Sequence, residues 1–255
     1  MNKLKLLCGE DYILSNNIKI KHPKISDLKN MGDRDYFSFV YLFCTQTHEM
    51  MVQLHDAGID YEEISDYDLF FLMYQSNKKK YDEMFYYFMN LIKVDIGIKA
   101  SNNERVLYGY IENKPNKENE KNIIISDFII DKKIFEEISL FFKTIHLYKN
   151  KEKPKFANKG VKELYIELER EEMEDSQKGN SNGFQTLISS LIWGSSNGTN
   201  YNNVWNLYMY QFQDGISRLN KIREYENVMN GIYNGTIEQK KINLEKINWL
   251  SDITN

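Results

Sequence analysis

The chain has 255 residues, a net charge of −4 and 14% aromatic residues, among them 18 Tyr and 14 Phe. That aromatic load excludes a disordered chain, and interleaved charges with a pI near 5.7 exclude the basic field that gathers phosphate backbone, so nucleic acid is not an expected partner. No stretch reaches the ~18 apolar residues of a membrane span, and the apolar start MNKLKLLC is too short for a signal peptide.

The length allows one large domain or two small ones. Cys8 and Cys44 sit in apolar contexts, LKLLCG and YLFCTQ, without zinc spacing, and both read as small buried hydrophobes. A reducing cytoplasm is the expected location, where Asn197-Gly198-Thr199 and Asn234-Gly235-Thr236 are glycosylation sequons in form only.

In chain order, residues 3 to 8 and 17 to 21 alternate apolar and polar side chains and predict a β-hairpin. Ser26 or Asp27 then caps a short helix that Gly32 ends, and an almost wholly apolar helix, DYFSFVYLFCTQ, follows. Thr47, Met50, Met51, Leu54 and Gly58 supply cap, face and stop of another. Ser65 with Asp68 forms a capping box opening SDYDLFFLMYQS, and the stripe Tyr81, Met84 or Phe85, Phe88 and Ile92 marks the next helix.

From Val94 the period falls to two over VDIGI, RVLYGYIE and NIIISDFII, which predicts a small antiparallel sheet. Asp131 starts the return to helix, with Ile134, Ile138, Phe141 or Phe142, and Ile145 on one face. KNKEKPKFANKG reads as a basic surface linker, VKELYIELEREEMEDS as a helix with an acidic tail, and QKGNSNG as a second linker. FQTLISSLIWGSSNGTN is a compact apolar segment closed by Gly and Asn.

The longest regular pattern runs from Tyr201 to Ile232, about eight helical turns. Its stripe is Trp205, Tyr208, Phe212, Ile216, Leu219, Ile222, Tyr225, Met229 and Ile232, every step three or four residues. Such a helix predicts the spine of the core, with a kink at Gly215 or a break at Gly231. Ile242, Ile247, Trp249 and Leu250 are free to dock back onto the body. The fold class is α+β, predominantly α-helical. Its expected parts are a hairpin and helical bundle over 1–93, an antiparallel β insert over 94–131 and a helical part over 132–255 packed on the first as one continuous domain.

Motifs for chemistry fail on inspection. GSSNG, residues 194 to 198, has the form of a nucleophile elbow around Ser196, but His22, His48, His55 and His146 all precede it, whereas that fold needs a later histidine. His48 and His55 are too far apart along a helix to share a zinc ion, since residue 52 is Val52. The acidic runs Asp60, Glu62, Glu63, Asp66, Asp68 and Glu167, Glu169, Glu171, Glu172, Glu174 lack calcium-loop order and read as solvated faces. No catalytic, cofactor or metal site is expected. Tyr87 and Tyr210 fall off the stripes of their helices; either both helices are buried on two sides, or the rings form a partner-docking surface.

Four stretches resemble proteins encoded in the tail-gene modules of tailed bacteriophages and prophages of Gram-positive bacteria. They are IKIKHPKISDLKNMGDRDYFSFV (18–40), LHDAGIDYEEISDYDLF (54–70), FQTLISSLIWGSSNG (184–198) and VWNLYMYQFQDGISRLNKIREYENVMNGIYNGTI (204–237). The resemblance implies a non-enzymatic role in tail morphogenesis within the host cytoplasm. Its first form is a tail assembly chaperone binding the tape-measure protein through Tyr87 and Tyr210. Its second is a virion component of tail, baseplate or neck that contacts copies of itself. It transfers no active-site residue.

Overall fold

The computed structural model describes residues 2–91, 95–101, 104–112, 123–178, 183–196 and 198–251. Asn2 accepts the Leu4 amide at 2.9 Å and starts a five-residue helix, α1 (Lys3–Leu7). The strand expected over 3 to 8 is therefore a helix, because periods of two and 3.6 cannot be separated over so few residues. Leu6 turns inward while Cys8, expected to be buried, is exposed just past the helix end. The hairpin forms one segment later. β1 (Tyr12–Ile13) pairs antiparallel with β2 (Lys19–Ile20), turned through Asn17 at φ 65°.

α2 (Ile25–Met31) is capped at Lys24, whose amide donates to Asp27 Oδ2 at 2.8 Å; Asp27 thus acts from the first turn rather than as the cap. Gly32, at φ 89°, ends α2 and begins α3 (Asp33–Cys44), a backbone angle that favours glycine. A 3-10 turn over Thr47–Met50 leads into α4 (Met51–Asp56). The Ser65–Asp68 capping box opens α5 (Asp66–Ser76) as expected, and α6 (Lys78–Met89) stops at left-handed Asn90. Ile92, the last position of its expected stripe, lies outside the described residues.

The middle of the chain forms the expected antiparallel sheet, β3 (Asp95–Ser101), β4 (Glu104–Glu112) and β5 (Ile123–Ile130), in that order, with a bulge between Tyr108 and Tyr110. Asp131 caps α7 (Lys132–Ile145) by accepting the Ile134 amide at 2.8 Å. α8 (Lys159–Lys178), α9 (Phe184–Gly194), α10 (Met209–Tyr233) and the short α11 (Leu244–Ile247) complete the chain. Among the described residues no helix is long and apolar enough to cross a membrane.

The main core is built on α3 against α7, flanked by α5 and α6. Its contacts are largely ring on ring: Phe39 stacks on Phe88 at 5.3 Å and Phe43 on Phe142 at 5.7 Å. Each such pair contributes ~0.5–1.5 kcal/mol beyond its buried area. Leu107, Phe128 and Ile130 of the sheet enter the same core. Tyr67 Oη ties the sheet to α5 by donating to the Arg105 carbonyl at 2.7 Å and the Ile130 carbonyl at 3.1 Å.

The long C-terminal helix is present, but its buried residues are confined to the first turn, Met209, Tyr210 and Phe212, with half-buried Ile216 packing against the same core. Ile216, Leu219, Ile222, Tyr225, Met229 and Ile232 are half-buried rather than central. It also starts later than Tyr201, because Asn side chains take the local amides. Asn203 Oδ1 accepts Asn200 N at 2.7 Å and Asn200 Oδ1 accepts Asn202 N at 2.9 Å. Residues 207–209 then run extended beside 23–25, with Ile25 N donating to Leu207 O at 2.9 Å and Met209 N to Pro23 O at 2.8 Å.

The helix continues through both glycines. A Cβ at Gly231 would lie 2.5 Å from Ile237 Cδ1, so that glycine admits the returning tail rather than breaking the helix. At Gly215 the nearest atom to a Cβ is Leu191 Cδ1 at 3.4 Å, an ordinary contact. Gly215→Ala is expected to stabilise the fold by ~0.5–1 kcal/mol through helix propensity, read as a higher urea midpoint. A lower midpoint would mean that α9 and α10 already touch too closely there.

The tail docks mainly through main-chain groups, with Arg218 donating to the Trp249 carbonyl at 2.6 Å and the Ser251 carbonyl at 2.7 Å. Trp249 and Leu250 themselves remain exposed. A second, smaller core joins α4 to α8 through Met51, Val52, Leu54, Tyr61, Leu69 and Ile166. The segment expected as a basic surface linker over 149–160 ends in the first residues of α8 and belongs to this core in part, since Phe156 packs on Tyr165 at 5.2 Å and the His48 ring lies 3.0 Å from the Lys151 carbonyl. Most of the second expected linker lies outside the described residues.

Candidate docking surfaces

The two tyrosines singled out by the helix stripes have different fates. Tyr210 is 5% exposed, so of its two expected readings burial on two sides holds and outward facing does not: the first turn of α10 lies between α1 and α7. Tyr210 N points to His22 Nε2 at 3.4 Å. Tyr87 does reach the surface, at 40% exposure, but its phenol is engaged. The hydroxyl donates to Asp27 Oδ1 at 2.6 Å, and Lys21 Nζ lies 2.6 Å from that hydroxyl and 4.2 Å from the ring centroid. Burial, followed by the bond to Asp27, pushes the Tyr87 phenol up from its ordinary value.

Asp27 is a buried carboxylate, so this network has a structural task whatever the ring does outside. Tyr87→Phe is expected to cost ~1.5 kcal/mol, the low end for a bond to a charged group because the site is partly wet. Urea unfolding of the two proteins measures it; equal midpoints would show that Lys21 alone satisfies Asp27.

Exposed aromatics that the stripes of α6 and α10 did not flag lie at the end of α9. Ile188 and Leu191 face the core, and Trp193 projects from the other side of the helix at 78% exposure. Its indole Nε1 donates to Tyr201 Oη at 3.1 Å, which joins two exposed rings into one surface feature. Tyr233, at 77% exposure, lies at the far end of α10. The stripe test that selected Tyr87, applied to FQTLISSLIWG, would have found Trp193.

A cleft of ≈ 820 Å³ separates residues 58–62 from 153–159 and the first turns of α8. Here the acidic run gains a partner. Lys162 Nζ lies 2.8 Å from Asp60 Oδ1, 2.8 Å from Glu62 Oε2 and 4.5 Å from the Tyr61 ring centroid. The Lys162 bond holds the Asp60 carboxyl below the usual range. Among the described residues no three His, Cys, Asp or Glu side chains converge as metal ligands. His48, His55, His146 and Ser196 stay apart: His146 Nε2 is 2.8 Å from Tyr36 Oη, His55 is exposed beside Asp56, and Ser196 is exposed.

Neither the curated proteins nor the solved structures contain a match to the chain. Residues 176–254 match the family model of the YomV second domain, a phage- and prophage-encoded family. The match spans under a third of the 255 residues and includes two of the four stretches quoted above, α9, α10 and the Trp193–Tyr201 pair. It supports a phage-related origin for this protein.

Proposed function

We propose that the protein acts in tail morphogenesis as a non-enzymatic assembly chaperone, holding apolar helices of the tape-measure protein until the tail polymerises around them. The observation that carries this reading is the Trp193–Tyr201 pair, two joined and exposed rings inside the segment that matches a phage family. Exposed Trp and Tyr are the side chains that most often dominate binding energy, because they bring large area with few rotors. Tyr87 is a secondary candidate through its ring, and Tyr210 is removed from the docking role by its burial.

Co-expression with the tape-measure protein of the same phage genome tests the proposal. The wild-type chain is expected to keep that protein soluble and to co-purify with it. Trp193→Ser is expected to weaken capture by ~1–2 kcal/mol, about tenfold, with an unchanged melting temperature, since the ring is almost fully exposed in the free protein. Loss of capture together with loss of fold would instead assign Trp193 to the core. A soluble chain that ignores the tape-measure protein would favour the virion-component reading.

A further inference from the structure

We propose that the outer face of α8 is a docking strip for a basic amphipathic helix of a partner protein. α8 has two faces of different chemistry. Ile166 is buried and Tyr165 and Met173 pack with it toward α4, while Lys162 and Arg170 are fixed by ion pairs to Asp60, Glu62 and Asp56. On the opposite side Val161, Leu164 and Leu168 follow at steps of three and four and stand 44%, 56% and 51% exposed. Three large aliphatic side chains in one exposed row on an otherwise charged helix are not expected of a surface that meets only water.

The charges beyond the row indicate what would cover it. Glu171, Glu172 and Glu174 follow within the next turn and a half, all exposed, and none has an ion-pair partner among the described residues. Carboxylates near a helix C-terminus oppose the helix dipole, so this stretch of α8 presents exposed negative charge that a cationic partner would stabilise. A partner helix whose apolar row meets Val161, Leu164 and Leu168, with lysines or arginines beside it, would cover the aliphatic surface and neutralise the acidic turn together. A second copy of α8 does not fit that description. Its own Lys159, Lys162 and Arg170 are already engaged in ion pairs, to Glu163, to Asp60 and Glu62, and to Asp56. The strip goes beyond the tape-measure reading and does not rest on Trp193.

The test uses the full chain and a fluorescein-labelled model peptide roughly four helical turns long, with leucines on one face and lysines on the other. Fluorescence anisotropy should detect binding that falls with added salt. A scrambled peptide of the same composition and a version with glutamate in place of lysine should bind at least about tenfold more weakly. The Leu164→Ser/Leu168→Ser double variant and the Glu171→Gln/Glu172→Gln/Glu174→Gln triple variant should each lose about tenfold or more in affinity while melting as wild type. A control triple elsewhere, Glu136→Gln/Glu224→Gln/Glu226→Gln, should bind as wild type. Equal binding of the scrambled peptide, or an equal loss in the control triple, would overturn the proposal in favour of general attraction to an acidic protein. A concentration-dependent dimer abolished by the leucine double variant, without peptide binding, would overturn it in favour of self-association.

Discussion

Phe212→Asp is expected to abolish soluble expression, whereas Ile222→Asp in the same helix is expected to leave a folded protein. Phe212 is fully buried and meets the Phe184 ring at 5.2 Å, so an introduced carboxylate would be stripped of water within an apolar core. An unpaired buried charge costs several kcal/mol, against a total stability of ~5–15 kcal/mol. Ile222 is half-buried, so water still reaches the new carboxylate and the cost falls to ~1–2 kcal/mol. Yield in the soluble fraction and the melting midpoint of each variant check the pair. Two insoluble variants would mean that the whole length of α10 is core, and two soluble ones that neither end is.

Stability is expected to fall as pH drops from about 6.5 toward 4. His22 is fully buried, and burial lowers its imidazole from 6.5 to about 4; burial, then the nearby His22, lowers His146 to about 3. In both cases the unfolded chain binds a proton in a range where the folded chain does not. Stability is therefore complete above the unfolded value of 6.5 and is lost progressively below it, down to the folded values. For His22 alone the drop from 6.5 to about 4 corresponds to ~3 kcal/mol at ~1.4 kcal/mol per pH unit. Urea midpoints at several pH values in that window, for wild type and His22→Phe, give the test. A flat wild-type profile, or an undiminished slope in the variant, would contradict it.

The parts of the fold legible in the sequence were those in which a local rule and the tertiary need coincide. Ser65–Asp68 and Asp131 cap the helices they precede, Gly32 separates two helices, and the change of period near Val94 marks the sheet. Where the local signal was short it misled: Lys3–Leu7 suits a strand and a helix equally, and Asn2 decides the matter with one hydrogen bond. Where the signal was long it also overreached. The stripe from Trp205 to Ile232 states that one face is apolar, but burial depth is set by what lies opposite, and beyond Phe212 that is α9 and a tail held largely through main-chain carbonyls.

The candidate surfaces were half legible for a related reason. A residue off its stripe faces away from its own local core, which is true of Tyr87 and Trp193. It says nothing of a second layer, and at Tyr210 the hairpin region supplies one from nearly two hundred residues away, through His22. Phe156 shows the converse: a basic, proline-containing stretch looks solvated, yet one ring pins it to α8.

Quantitative mass spectrometry of induced host lysate and of purified particles from the same culture tests the central functional claim most directly. The account predicts the chain in the lysate, in complex with the tape-measure protein, and its absence from finished particles. Stoichiometric copies in the particle, with no tape-measure complex in the lysate, would contradict it.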